Sequence, residues 1–164
     1  MTKIGLRIYS WPDAILKKKC TEVKFVDERI RHLFDQMIIL MRESKGIGLA
    51  GNQVGLDLRL VVIETQEGIL RLVNPRIIKS EGRIDFLEGC LSFPGIELKI
   101  RRAKKVWVTA LDENGQPLDY EVEGPLAVVF QHEVDHLNGI LFIERVSFWK
   151  RLRIGHLLKK IKKF

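Results

Sequence analysis

Gln131-His132-Glu133-Val134-Asp135-His136 carries the pattern H-E-x-x-H, and the rest of the chain is best understood around it. Residues four apart lie on one face of an α-helix, so His132 and His136 can offer ring nitrogens to a single metal ion. Glu133 is adjacent to the first histidine, where its carboxylate could hold or deprotonate a water molecule at the metal. The alternative is that the pattern arises by chance and that the histidines are ordinary core residues.

The residues around this stretch favour a helix with defined ends. Pro125 suits the first turn of a helix, where its missing N–H leaves no hydrogen bond unmade. Gly139 suits the exit, where a left-handed residue ends the helix. Nearer the N-terminus, Asp27 is a candidate cap for a helix that runs to about Ser44. Its apolar residues recur at helical spacing and predict a buried stripe: Ile30, Phe34, Met37, Ile38 and Met41.

Six segments between the two predicted helices have strand character. They span residues 58–64, 70–74, 83–87, 96–100, 105–111 and 118–123. Asn114-Gly115 separates the last two and predicts a hairpin turn, and Asn74-Pro75 marks an extended or turning segment. The order predicts an α+β fold, with mostly antiparallel sheets around a central metal-binding H-E-x-x-H helix. The length predicts one domain over residues 1–164.

Composition limits the location and the partners of the chain. No apolar run approaches the ~20 residues that cross a bilayer. The N-terminal residues have neither a signal-peptide core nor transit-peptide character. Two cysteines are too few for a disulfide framework, so Cys20 and Cys90 are each expected to be buried filler or a ligand. We therefore predict a cytoplasmic protein with no membrane segment.

The net charge of +7 comes from the C-terminal segment. Residues 145–164 hold eight of the 28 Lys and Arg residues and none of the 21 acids, and their apolar residues recur at helical spacing. This pattern predicts a basic, amphipathic C-terminal helix, which either simply packs on the body or also docks on the RNA phosphate of the ribosome. Nucleic-acid binding as the main function, including specific DNA binding, is disfavoured because the sheet offers no aromatic stacking platform.

A second chemical stretch is Glu88-Gly89-Cys90-Leu91-Ser92, at the end of a predicted strand. A Cys90 thiolate with the two histidines would give three ligands and one open position, which is typical of a catalytic metal. Cys90 could instead be a nucleophile with a histidine base. Another alternative is an H-E-x-x-H zinc metallopeptidase, which usually takes its third ligand from a downstream residue such as Glu144.

A third stretch, residues 46–55, is rich in glycine. It lacks the Lys-Ser/Thr of a P-loop, and small residues here would let a ligand backbone approach closely. G-I-G-L-A-G-N-Q, E-G-C-L-S and Q-H-E-V-D-H together resemble the three motifs of the peptide deformylase family, in the same order. That family removes the formyl group from the N-terminal formyl-methionine of new bacterial proteins. The absence of an insertion after E-G-C-L-S resembles the shorter bacterial type.

The resemblance implies a role for each motif. The metal ligands would be Cys90, His132 and His136. Glu133 would be the general base and acid, and Gln53 with the backbone N–H of Leu91 would form the oxyanion site. The resemblance implies one divalent metal per chain, Fe²⁺ physiologically, with Zn²⁺, Ni²⁺ or Co²⁺ possible. One thiolate and two imidazoles suit several of these metals.

The implied substrate is an N-formyl-methionyl nascent peptide, whose methionine side chain needs an apolar pocket. The candidates for this pocket flank the motifs: Ile47, Gly48, Phe86, Val128 and Val129. The alternative for the apolar ones is core packing. Gly51 departs from the alanine that is usual in the family. Its extra backbone freedom is expected to make the position of the Gln53 side chain less well fixed. Glu97 stands where some members have an arginine that contacts the substrate backbone. The resemblance also implies ribosome docking through the C-terminal helix, because bacterial members use that helix in this way.

Overall fold

The computed structural model describes residues 5–161, and within them a mixed helix and sheet fold. The helices are α1 (Glu28–Glu43), α2 (Pro125–Leu137), α3 (Phe148–Arg153) and α4 (Gly155–Leu158). The strands are β1 (Gly48–Ala50), β2 (Leu60–Thr65), β3 (Gly68–Glu81), β4 (Ile84–Gly89), β5 (Glu97–Arg102), β6 (Lys105–Leu111) and β7 (Pro117–Glu123). Short 3₁₀ helices lie at Ala14–Lys17, Gly51–Val54 and Phe142–Arg145.

The strands form two antiparallel sheets. One has five strands in the order β1-β2-β3-β6-β7, and β4 pairs with β5 in the other. The predicted α+β class with mostly antiparallel sheets is therefore confirmed. Helix α2 packs against β1, β2, β3 and β7, which places the H-E-x-x-H pattern against the larger sheet.

The two long helices begin and end where the sequence predicts. The Asp27 side chain accepts a hydrogen bond from the Ile30 N–H at 3.0 Å, and Ser44 caps the other end of α1. Pro125 occupies the first turn of α2. Gly139 has a φ of 72°, the left-handed conformation expected after a helix end.

The sheet differs from the prediction at two places. Strand β1 was not predicted, because Gly48-Leu49-Ala50 has neither β-branched residues nor alternation and becomes a strand only by pairing with β2. Strand β3 continues through Pro75, well beyond the predicted end. Asn74 has a φ of 52°, and the register with β6 shifts between Val73 and Arg76. This irregularity accommodates the proline, which cannot donate a hydrogen bond to the ladder.

The prediction of one continuous C-terminal helix is wrong: α3 and α4 are separated at Ile154. Gly155 follows the break, and glycine is a poor helix former. The apolar residues after the break pack on the cluster that contains Leu16, Phe93 and Phe142: Ile154, Leu157, Leu158 and Ile161. Lys162 and Lys163, two of the eight basic residues counted in the predicted C-terminal helix, lie outside the described residues. No helix within residues 5–161 is long and apolar enough to cross a membrane.

Candidate active site

Three potential metal ligands meet at one point. Cys90 directly follows β4, whereas His132 and His136 lie one turn apart on α2. The Nε2 atom of His136 is 3.2 Å from the Cys90 sulfur and 3.1 Å from the Nε2 of His132. All three candidate ligand atoms lie within 4.8 Å of one another. The fold therefore joins the second and third sequence motifs into one cluster.

The chemistry of this cluster fits a divalent metal. Metal–nitrogen bonds of about 2.0–2.1 Å and metal–sulfur bonds of about 2.3 Å bring neighbouring ligand atoms to such separations. Burial lowers the pKa of His136 well below its usual value, so the ring is neutral and has a lone pair to donate. Its other nitrogen, Nδ1, is buried without a hydrogen-bond partner among the described residues. Three protein ligands leave one coordination position open, as in catalytic sites.

His132 is oriented by a buried ionic network. Its Nδ1 lies 2.8 Å from Glu88 Oε2, which turns Nε2 toward Cys90 and His136. Two hydrogen bonds join Glu88 to Arg102, with nitrogen–oxygen distances of 2.7 and 2.9 Å. Burial alone would raise the pKa of Glu88, but its hydrogen bonds with Arg102 and His132 hold that pKa below the usual value. Glu88 is therefore an ionised partner for the histidine.

Asp135 extends the network along α2. Its Oδ2 accepts a hydrogen bond from Arg102 Nη1 at 2.6 Å, and Arg145 binds the same carboxylate. Sequence reasoning missed both Glu88 and Arg102. For Glu88 a signal existed, because it lies two residues before Cys90 in the quoted motif. Arg102 has no such signal, because its contact depends on the pairing of β4 with β5.

Glu133 is a buried carboxylate beside the cluster, 4% exposed. Burial raises the pKa of Glu133 to about 7, and its Oε2 has no hydrogen-bond partner within the described chain. Its Oε1 occupies the space above Gly48, where a Cβ would overlap it. A carboxyl group with a pKa near neutrality can both accept and return a proton at physiological pH.

Two hydrogen-bond donors border the same cleft. The Ala50 N–H donates to Gln53 Oε1 at 2.9 Å, so the amide Nε2 faces Cys90 Sγ at 3.6 Å and Ser92 Oγ at 3.1 Å. The Leu91 N–H has no acceptor among residues 5–161. The Leu91 N–H is thus available to a substrate oxygen near the cluster, whereas Gln53 Nε2 already donates to Cys90 and Ser92 and would have to exchange one of these acceptors for the substrate oxygen.

Gly51 does not loosen this arrangement. It is buried in the 3₁₀ helix Gly51–Val54, and a Cβ at this position would overlap the backbone oxygen of Leu58. The glycine allows this close backbone approach, and the hydrogen bond from Ala50 fixes the amide of Gln53. The predicted loosening of the Gln53 side-chain position is therefore not observed.

A cleft of about 590 Å³ opens onto the cluster. Every residue that we predicted for the substrate pocket lines it: Ile47, Gly48, Phe86, Val128 and Val129. Leu91, Phe93 and Ile96 add further apolar surface. Val128 is buried at the base, whereas Ile47 is 61% exposed. The cleft thus combines an apolar lining with Glu133 and two of the three candidate ligands, Cys90 and His132.

Glu144 does not take part in the cluster. Its carboxylate accepts a hydrogen bond from the Leu141 N–H at 2.8 Å and pairs with Lys17 Nζ at 2.9 Å. Cys90 takes the place of the downstream ligand that the metallopeptidase alternative requires, and that alternative is not favoured.

Comparison with known proteins agrees with this geometry. A family model described as "Polypeptide deformylase" matches residues 6–152. The chain belongs to the peptide deformylase family. The deformylase of Aquifex aeolicus is 43% identical over 150 residues, which cover 88% of this chain and 89% of the relative. Peptide deformylase 2 of Clostridium acetobutylicum is 48% identical over 136 residues, or 82% and 91% of the two chains.

A solved structure gives the same result. The peptide deformylase of Legionella pneumophila superposes with a TM-score of 0.89 at 40% identity, and the match covers 94% of each chain. The protein is accordingly a hydrolase that removes the formyl group from N-formyl-methionyl peptides in N-terminal processing. The deformylase family is metal-dependent, and Cys90, His132 and His136 form a triad that fits a metal.

Proposed function

We propose that this deformylase hydrolyses the formyl amide with one divalent metal held by Cys90, His132 and His136. The observation that carries the proposal is the meeting of these ligand atoms beside the buried carboxylate of Glu133. When bound, the metal supplies Lewis acidity and lowers the pKa of a coordinated water toward neutrality. Family resemblance supports Fe²⁺ as the physiological metal, while Zn²⁺, Ni²⁺ and Co²⁺ suit the same donors. In this proposal α2 is the metal-binding helix around which the sheets are arranged.

The protein groups divide the proton and charge transfers among them. Glu133 accepts a proton from the attacking water and later gives it to the leaving amine nitrogen. Gln53 Nε2 and the Leu91 N–H donate hydrogen bonds to the formyl oxygen as negative charge develops there. Glu88 holds the ring of His132 in place through the 2.8 Å contact.

The substrate is expected to bind along the edge of the larger sheet. Strand β1 is an edge strand, and its first residue, Gly48, lines the cleft. An extended peptide can therefore pair with β1 while its methionine side chain enters the apolar lining. The apolar side chains that would receive the methionine are Ile47, Phe86, Val128 and Val129.

Formyl-Met-Ala-Ser and its unblocked counterpart test this reaction directly. Formate release from the formylated peptide, without cleavage of any internal peptide bond, is the expected result. Cleavage of internal bonds in the unblocked peptide would instead favour the H-E-x-x-H metallopeptidase.

Gly48→Ala is expected to lower turnover by about 10²-fold and leave the metal bound. The added methyl overlaps Glu133 Oε1 and must displace the carboxylate, and misplacing a catalytic group by about 1 Å can have an effect of this size. Turnover on formyl-Met-Ala-Ser and metal content are measured together. Gly155→Ala is the matched control, because a Cβ there meets nothing within 4 Å. Equal turnover in the two variants would show that the space left by the missing side chain of Gly48 is not needed to position the Glu133 carboxylate.

We also propose that residues 1–164 form one domain that works in the cytoplasm. The support for the domain is a family match over residues 6–152, a range that includes both sheets and α2. The support for the location is the substrate, because formyl-methionine is the first residue of a nascent peptide at the ribosome. Docking on the ribosome through the basic segment 145–164 fits that substrate and the clustered charge.

Charge reversal tests the docking. Arg153, Lys159 and Lys160 are exposed, and the triple change to glutamate should reduce salt-sensitive co-sedimentation with ribosomes. Turnover on a free formyl-tripeptide should change little. The matched control reverses three exposed residues elsewhere, Lys24, Arg29 and Lys104. Docking through the C-terminal segment is excluded if both triple variants sediment like the unchanged chain.

A further inference from the structure

Asn52 is a buried polar residue to which the proposed function gives no task. It lies in the 3₁₀ helix Gly51–Val54, and none of its surface is exposed. Its Nδ2 donates to the backbone oxygen of His136 at 2.5 Å and lies 3.3 and 3.5 Å from the backbone oxygens of Leu16 and Lys18. Its Oδ1 has no hydrogen-bond partner among residues 5–161. Within the described chain, the amide of Asn52 therefore acts only as a donor to backbone oxygens.

The C-terminal end of α2 needs such donors. The last carbonyl groups of an α-helix have no partner within the helix. His136 is the penultimate residue of α2, and its backbone oxygen accepts from N–H groups of the following turn, including that of Gly139 at 2.9 Å, and from Asn52. The next carbonyl, that of Leu137, accepts from Nη1 of the buried Arg59 at 3.2 Å. Side chains from distant segments thus hold the end of α2, and Asn52 holds it at a candidate metal ligand.

The two histidines of the cluster are held in different ways. A metal-binding histidine usually donates its second ring N–H to an acceptor, which fixes the ring. His132 has such a contact with Glu88, at 2.8 Å. The Nδ1 of His136 is buried without a partner in the part of the chain that the structure describes. The position of the His136 ring therefore depends more strongly on how its backbone is held.

We propose that Asn52 is a positioning residue for His136, because it anchors the backbone of this ligand beside the other two. The inference rests on the proposed function, which makes His136 a metal ligand. Asn52 does not line the cleft, so it acts on the metal site through His136 and does not contact the substrate. Without this anchor the end of α2 can move away from Cys90 and His132, and the metal is then bound less tightly.

The test uses the Co²⁺-loaded protein, because the visible absorption of Co²⁺ reports the geometry of its ligands. Asn52→Ala and Asn52→Leu both remove the donor, and the leucine also refills the space. Each variant should bind Co²⁺ about 10- to 100-fold more weakly in competition with a chelator, which is the usual effect of losing an outer partner of a ligand. The absorption spectrum should change as well. On formyl-Met-Ala-Ser, kcat should fall while KM stays nearly constant, because Asn52 does not contact the substrate.

Asn74→Ala is the matched control for lost stability. The Nδ2 of Asn74 also donates to a backbone oxygen, that of Val23 at 2.8 Å, but neither residue belongs to α2 or to the ligand cluster. This variant should have a lower free energy of unfolding, with the Co²⁺ affinity and spectrum of the unchanged chain.

The outcomes separate the positioning role from the proposed function. Co²⁺ affinity and spectrum that stay unchanged in both Asn52 variants would overturn the inference alone. Equal weakening of Co²⁺ binding in Asn74→Ala would also overturn it, because lost stability would then be the cause. Failure of both Asn52 variants to fold would show that Asn52 holds the fold rather than the ligand. If the unchanged chain bound no Co²⁺, the proposed function itself would be wrong.

Discussion

Replacing Glu133 by alanine is expected to lower formate release by about 10²–10⁴-fold while the metal stays bound. Glu133 is the buried carboxylate that faces the cleft beside the ligand cluster, and it would serve both proton transfers. Its pKa of about 7 suits a group that accepts a proton and then returns it. Turnover on formyl-Met-Ala-Ser and metal content per chain are the two measurements. A variant that keeps its metal and more than a third of its turnover would show that another group is the base.

Two further variants sharpen this result. Glu133→Gln keeps the shape above Gly48 but cannot accept a proton, so it should lose turnover as Glu133→Ala does. Glu144→Ala should retain turnover, because Glu144 caps Leu141 and pairs with Lys17 rather than facing the cluster. A loss of activity in Glu144→Ala with normal metal content would revive the metallopeptidase alternative.

Cys90→Ser is expected to weaken metal binding and reduce turnover to near background. A hydroxyl is a much poorer ligand than a thiolate for soft and borderline metals. The Cys90 sulfur lies 3.2 Å from His136 Nε2, so its loss removes one of three ligands. Metal content after dialysis and turnover on the formyl-tripeptide test this together. Full occupancy with normal turnover would remove Cys90 from the site.

Cys20→Ser is the matched control. Cys20 is buried, and burial raises the pKa of its thiol to about 11, so it stays protonated at neutral pH. It packs in the apolar cluster with Ala50 and Phe130 and is not part of the ligand group. Metal content and turnover should therefore be unchanged in this variant.

The sequence was sufficient to predict the two long helices and the three residues that meet in the metal-fitting cluster, but not Glu88 and Arg102. Pro125, Gly139 and Asp27 act through local backbone chemistry, which short-range patterns record well. His132 and His136 are brought together by helical periodicity alone. The position of Cys90 followed from its motif and from the resemblance, and the fold then places its sulfur beside His136.

Features that depend on packing across the fold could not be predicted. The Glu88–Arg102 pair requires the register of β4 on β5, and the overlap between Gly48 and Glu133 requires α2 to lie against β1. Gly48–Ala50 form strand β1 because they pair with β2, not because their own residues favour a strand. From the sequence alone, Gly51 was expected to add backbone flexibility. In the structure the backbone oxygen of Leu58 lies so close to Gly51 that a Cβ would overlap it, which accounts for the glycine.

The most direct test of the account is an anaerobic metal titration of the metal-free protein, followed by formate release from formyl-Met-Ala-Ser. We predict negligible release without metal and a linear rise with added Fe²⁺ that saturates at one ion per chain. Zn²⁺, Ni²⁺ and Co²⁺ should bind at the same stoichiometry, because the same thiolate and two imidazoles hold them. Full activity in the metal-free protein, or saturation at a stoichiometry other than one, would contradict a single catalytic metal at Cys90, His132 and His136.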